Sequence, residues 1–214
     1  MAASSFLVGV AGGSGSGKTS LAAAVAAALG PARVACLAHD AYYADRPDRD
    51  DGARAAADYD VPGALDHALF VNHLRALRAG VAVAPPRYCF ATHRRAGSGP
   101  VVEPREIVLV DGILLLHDPD VRALLDLKIF LDVPEPIRLA RRVARDTAER
   151  GRTHAAILAQ YEATVRPAHH AWVEPTRPFA DLVLANVGPL APLAEIAAAV
   201  IGDRLARLMD GKAA

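Results

Sequence analysis

The sequence predicts an α/β fold of three layers: a five-stranded parallel sheet between helices, with a projecting β-hairpin and an arginine-rich lid. Three observations carry this. The short apolar run Phe6 to Val10 breaks into a glycine-rich loop and then an alanine-rich segment, which reads as strand, loop and helix. Four more short apolar runs, at 33–38, 107–110, 127–131 and 181–184, are separated by segments of helical periodicity, so strands and helices alternate. One stretch between them, about 81–104, carries Pro85-Pro86 and Gly97-Ser98-Gly99-Pro100, which a central strand does not tolerate.

The first loop is Gly12-Gly13-Ser14-Gly15-Ser16-Gly17-Lys18-Thr19. It has the phosphate-cradling spacing of a glycine, four residues and Gly-Lys-Thr, in the strand-to-helix context that spacing requires. Glycines let the backbone N–H groups of residues 13–19 close on an anion, and the helix that follows adds its N-terminal partial charge. Lys18 is expected against the terminal phosphates of a nucleoside triphosphate, and the Thr19 hydroxyl on a magnesium ion bridging them.

After the first helix, Gly30-Pro31 is a stop signal, and the strand at 33–38 runs into His39-Asp40. Asp40 therefore projects from the carboxyl end of a strand, where open parallel sheets bind ligands. The run Asp45 to Asp51 reads as a solvated charged loop. Asp58-Tyr59-Asp60-Val61-Pro62 leads into a helix from about Leu65 to Arg78, with Leu65, Leu69, Leu74 and Leu77 near one stripe. Then comes the hairpin, containing Arg87-Tyr88-Cys89-Phe90-Ala91-Thr92-His93.

Ile107 to Val110 is the most continuous buried-strand pattern, and it ends in Asp111-Gly112. Asp111 is placed to orient a metal site near the glycine loop. A short helix around Val121 to Leu125 precedes the fourth strand. The chain then turns basic over the expected lid, about 138–153, with Arg138, Arg141, Arg142 and Arg145 at helical spacings and Arg150 and Arg152 just beyond. With acidic residues scarce there, the face is suited to meeting polyphosphate. A helix from Ala155 to Val173 should kink or split at Pro167, Trp172 should pack, and His169 and His170 are surface or packing residues. A last strand and an amphipathic helix, Leu190 to Leu208, close one domain over residues 1–214.

Lys plus Arg and Asp plus Glu number 24 each, so no global field draws the chain to nucleic acid or to a membrane surface. No apolar run approaches the roughly 20 residues of a membrane span. Two cysteines in separate segments, and no secretory pattern at the start, lead to an expectation of a reduced, cytoplasmic protein.

These motifs, in this order, resemble the uridine–cytidine kinase family within the group that includes phosphoribulokinase and bacterial pantothenate kinase. The resemblance rests on Gly12 to Thr19, Asp40-Ala41-Tyr42-Tyr43, Asp58 to Pro62, Pro86 to Arg95, Asp111 to Leu114, Arg138 to Asp146, Glu149 to Arg152, Gln160-Tyr161 and Pro175-Thr176. It implies a three-layer P-loop NTPase fold and transfer of phosphate from ATP, possible GTP use included, to the 5′-hydroxyl of a pyrimidine nucleoside. Asp40 would be the base, Asp60 and Arg152 would hold the ribose, and Tyr43, Tyr88, Phe90 and His93 would enclose the pyrimidine. His93 would read its exocyclic 4-position, Gln160 would support sugar and base, and Arg142 would approach the reacting oxygen. Arg145 and Arg150 would close over ATP, and Thr19, Asp40 and Asp111 would share the magnesium. A homotetramer is also implied.

The sequence departs from that pattern at Cys89, where the family commonly has Asp, at Asp111, where Glu is usual, and at Arg177-Pro178, where two lysines follow Pro-Thr. Cys89 bears on pyrimidine selectivity more than on phosphoryl transfer. A kinase of another small alcohol, a sugar phosphate or pantothenate, is the alternative. A nucleotide-driven switch or motor is disfavoured, because neither Asn-Lys-x-Asp nor Leu-Ser-Gly-Gly-Gln is present.

Overall fold

The computed structural model describes residues 4–48, 50–55 and 57–210. Arg49 and the Asp51 side chain, within the charged run at 45–51, lie outside the described residues.

Among the described residues seven strands form: β1 Phe6–Gly12, β2 Val34–Ala38, β3 Pro86–Cys89, β4 Arg94–Ser98, β5 Ile107–Asp111, β6 Leu127–Asp132 and β7 Leu182–Ala185. Five make a parallel sheet in the order β2-β5-β1-β6-β7, and β3 and β4 pair separately as an antiparallel hairpin. The helices are α1 Lys18–Leu29, α2 Asp51–Ala55, α3 His67–Arg78, α4 Pro119–Leu124, α5 Glu135–Arg150, α6 His154–Gln160, α7 Arg166–Ala168 and α8 Leu190–Asp210. No helix among the described residues is long and apolar enough to cross a membrane.

The strands of the large sheet are apolar on both sides because both sides are covered. On one face Leu7, Val108 and Val110 pack with Phe70, Leu74 and Leu77 of α3. On the other, Val8, Val10, Leu109 and Ile129 pack with Leu21 and Val25 of α1 and Ala197 and Ile201 of α8. The expected stripe on α3 is present, with Leu74 and Leu77 fully buried and Leu69 at its margin, but the helix starts at His67, so Leu65 lies just before it.

Register decides where the chemistry gathers. β5 lies between β2 and β1, and Asp111 is level with Ala38 on one side and Val10 on the other. The carboxyl ends of three adjacent strands therefore deliver Asp40, Asp111 and the glycine loop to one edge, where open parallel sheets bind ligands.

Two expectations need revision. The helix over 155–173 is a chain of short helical types: α6, a π segment Tyr161–Val165, the three-residue α7, a second π segment His169–Val173 and a 3-10 turn Glu174–Phe179. Pro167 sits near the start of α7, so the widened turns on either side absorb its missing N–H donor without ending the helix. Trp172 is 37 % exposed and lies edge-on to His117, so it caps the surface and does not fill the core.

Candidate active site

The glycine loop is shaped by contacts that exclude side chains. Gly12 has φ 139°, and a Cβ there would lie 2.6 Å from the Leu131 carbonyl oxygen. Gly15 has φ 78°, and its Cβ would overlap the Arg138 carbonyl at the start of α5. Gly17 turns the chain into α1 with a left-handed φ of 89° and no side-chain cap, which leaves first-turn N–H groups for an anion.

Lys18 is buried and donates from Nζ to the Gly13 carbonyl at 2.9 Å. Burial lowers its pKa, opposed by Asp40 and Asp111. The Thr19 hydroxyl donates to Asp111 Oδ2 at 2.6 Å. Burial pushes the Asp40 carboxyl above its usual range, while Lys18 pulls it back. Thr19, Asp40 and Asp111 offer oxygen donors only, which suits a hard cation such as magnesium.

A cavity of about 300 Å³ opens beside the loop, at the low end of the range for small-ligand clefts. Its lining includes Ser14, Asp40 and Arg142 together with Tyr43, Tyr88, Phe90 and His93. The Tyr43 and Tyr88 rings are 5.1 Å apart, and Tyr88 and Phe90 meet edge-on at 5.3 Å. The hairpin turn places His93 at φ 53°, a left-handed conformation that His tolerates better than most residues. There the imidazole stacks on Tyr59 at 4.5 Å and 10°, with Tyr88 Oη 3.5 Å from Nδ1. Burial lowers the His93 pKa, helped by Arg152 and Arg150, so the ring is neutral near pH 7. Asp60, on the same wall, is pushed up to about 6 by burial, against the pull of Arg142.

The lid differs from the one-sided basic face expected. Arg138 turns away from the cavity, is buried and donates to the Val133 carbonyl, while Arg141 donates to the Asn186 carbonyl. Arg142, Arg145, Arg150 and Arg152 gather on Asp146, whose side chain is fully buried. Arg142 also donates to Ser14 Oγ at 2.7 Å and to Gln160 Oε1 at 3.1 Å, and Arg152 shares that Gln160 oxygen at 2.6 Å. Arg150 lies over the Phe90 ring, 4.6 Å from its centroid, so the lid touches the hairpin across the cavity mouth.

Every residue named from sequence for the base and ribose side, Tyr43, Asp60, Tyr88, Phe90, His93, Arg142, Arg152 and Gln160, lines this cavity. Cys89 hydrogen-bonds within the hairpin to Thr92, which lowers its pKa. Four contributors went unnamed. Tyr59 stacks on His93. Arg95 ties the hairpin to the Tyr42 and Tyr43 carbonyls and to Asp66. Asn186 donates to the Ser16 carbonyl at 2.8 Å. Asp146 organises the lid. Tyr59 sits inside a motif already singled out, and Asn186 follows the last strand as Asp40 follows β2; both positions were visible signals. His170 is exposed and pairs with Glu174, whereas His169 is part-buried beside Gly13.

A phosphate-cradling loop, a lysine and a hydroxyl at its end, and arginines closing over an adjoining cavity define a phosphotransferase of the P-loop class. Residues 7–191 match the Phosphoribulokinase / Uridine kinase family, and the chain belongs to it. It is 44% identical over 182 residues to the uridine kinase of Chloroflexus aggregans, covering 85% of this chain and 87% of that one. The uridine kinase of Deinococcus deserti is 40% identical over 196 residues, covering 92% and 95%. Among solved structures, a putative fructose transport system kinase from Silicibacter sp. TM1040 superposes with TM-score 0.67 at 25% identity, over 85% and 90% of the two chains. Phosphoribulokinase from Rhodobacter spheroides does so with TM-score 0.60 at 16%, over 87% and 74%, a likeness of fold.

Proposed function

We propose that this protein transfers the γ-phosphoryl group of ATP to the 5′-hydroxyl of uridine or cytidine, forming the nucleoside monophosphate. The observation that carries the reading is one cavity lined by Asp40, Ser14 and Arg142 together with an aromatic and imidazole cluster of Tyr43, Tyr59, Tyr88, Phe90 and His93. The kinship with uridine kinases supports the same acceptor.

In this reading the flat base lies among Tyr43, Tyr88 and Phe90, and neutral His93 meets its exocyclic 4-position. Asp60, Arg152 and Gln160 hold the ribose, so the primary alcohol points toward Asp40. Asp40 accepts the proton as the oxygen attacks, and burial raises its proton affinity above that of an exposed aspartate. Lys18, Arg142, Arg145 and Arg150 surround the transferring group with donors already in place, and lid closure excludes water. Magnesium held by Thr19, Asp40 and Asp111 would offset charge on the phosphates.

The reading also takes ATP as the donor and one domain over residues 1–214. It further takes a homo-oligomer and a cytoplasmic setting, the last in keeping with two free cysteines, Cys36 and Cys89.

The test is incubation of the pure protein with labelled ATP, magnesium and a panel of uridine, cytidine, purine nucleosides, pantothenate and ribulose 5-phosphate. Uridine or cytidine should become labelled. Labelling of pantothenate or the sugar phosphate alone would overturn the acceptor. Asp40→Asn should lower kcat by about 10²–10⁴-fold while uridine still binds. Retention of more than about a tenth of wild-type kcat would remove the base assignment.

A further inference from the structure

Asp146 is a carboxylate around which the lid arginines gather, and it is not among the residues lining the cavity described above. Its side chain is fully buried, and four guanidinium groups surround it: Arg145 at 2.8 Å, Arg150 at 3.5 Å, Arg152 at 3.6 Å and Arg142 at 3.7 Å. Arg145 also donates from Nε to Oδ1 at 2.9 Å. The Asp146 main chain joins in, since its carbonyl accepts from the Arg152 N–H at 3.1 Å and the Gly151 N–H that ends α5. These arginines come from three places: inside α5, its last turn, and the loop beyond Gly151.

We propose that Asp146 is the positioning residue of the lid, holding Arg142, Arg145 and Arg150 in the one arrangement that meets the transferring phosphoryl group and Arg152 where it meets the ribose. The inference rests on the phosphoryl-transfer reading above. One negative charge among four positive ones leaves the cluster net cationic, so it still attracts an anion. The buried carboxylate has a second effect: it removes the freedom of long side chains that would otherwise repel one another and spread. An arginine that must be gathered during the reaction contributes less to the transition state than one already placed. Asp146 thus acts through the arginines, without touching substrate.

The proposal separates two quantities that ordinary damage moves together. Asp146→Asn keeps the shape and removes the charge. The freed arginines should bind inorganic phosphate more tightly, by about threefold or more from one unopposed charge. They should also use ATP less well, with kcat falling at least about tenfold at saturating substrates. Both are measured on full-length protein in magnesium buffer, phosphate by calorimetry and kcat with uridine, or with whichever alcohol the wild type phosphorylates. The far-ultraviolet circular dichroism and thermal melt of each variant report the folded fraction, whichever acceptor is used.

Tighter phosphate with slower turnover is the expected pair. A partly unfolded variant would lose kcat without gaining phosphate affinity. A folded Asp146→Asn that keeps wild-type kcat, or loses it with phosphate affinity unchanged, overturns the proposal. Should Asp146→Asn fail to fold, Asp146→Glu carries the test. It keeps the charge but moves the oxygens by a methylene, so phosphate affinity should stay within about twofold while kcat falls about threefold or more. Wild-type kcat in that variant overturns it too. A wild type that phosphorylates no uridine defeats the acceptor reading alone, because the Asp146 comparison runs equally well on another acceptor.

Discussion

Asp60 shows how one side chain records the environment of the whole site. Its carboxyl titrates at about 6, because burial disfavours the charge more than Arg142 restores it. The folded chain therefore binds this proton more tightly than the unfolded chain does, whose value is 3.8. Its stabilising effect is complete below about pH 4 and is lost as the pH rises through about 6. A shift of that size amounts to at most about 3 kcal/mol, and the open cavity screens part of it. Asp60→Asn should accordingly gain about 1–2 kcal/mol at pH 8, a rise of roughly 2–4 °C in Tm per kcal/mol, and nothing at pH 4. Melting curves at the two pH values check this, and an equal gain at both would refute the assignment. Asp40 has the same sign, so kcat/KM should rise with pH through a carboxyl value above the usual aspartate range.

At the scale of elements, the hairpin and the lid are the two parts outside the layered body, and they meet. Arg150 of the lid sits over Phe90 of the hairpin, and both are exposed enough for water to compete. A half-exposed cation–π contact is worth about 0.5–1 kcal/mol. The double-mutant cycle of Phe90→Leu and Arg150→Met on kcat/KM for uridine should return a coupling of about that size. Additive effects would mean that the two elements close independently. Both elements were legible in the sequence, the hairpin from its Pro-Pro and Gly-Ser-Gly-Pro brackets and the lid from its arginine spacing. Their contact was not, because Phe90 and Arg150 are 60 residues apart and each pattern is local.

For the molecule as a whole, the sheet carries the stability and its carboxyl edge carries the chemistry. Leu74 of α3 is fully buried against that sheet, and no residue of α3 lines the cavity. Leu74→Ala should cost about 2–5 kcal/mol and leave kcat per folded molecule unchanged. Uridine at about 100 times its Kd should restore about 2.7 kcal/mol to wild type and variant alike. Thermal melts with and without uridine decide this, and an unmoved wild-type Tm would remove the nucleoside from the cavity.

The glycine loop, the strand-end aspartates at 40 and 111 and the aromatic hairpin could all be read from residue order, since each is a short motif whose chemistry depends on near neighbours. Backbone geometry added what local order does not encode. Parallel register brings Asp111 level with Ala38 and Val10, and so gathers three strand ends at one edge. The fate of the arginines also waited on packing. Their spacing suggested one basic face, but folding turned Arg138 back against the loop and drew four others onto Asp146. Charge spacing along a helix states which groups are present, whereas the buried carboxylate of Asp146 decides where four of those charges gather.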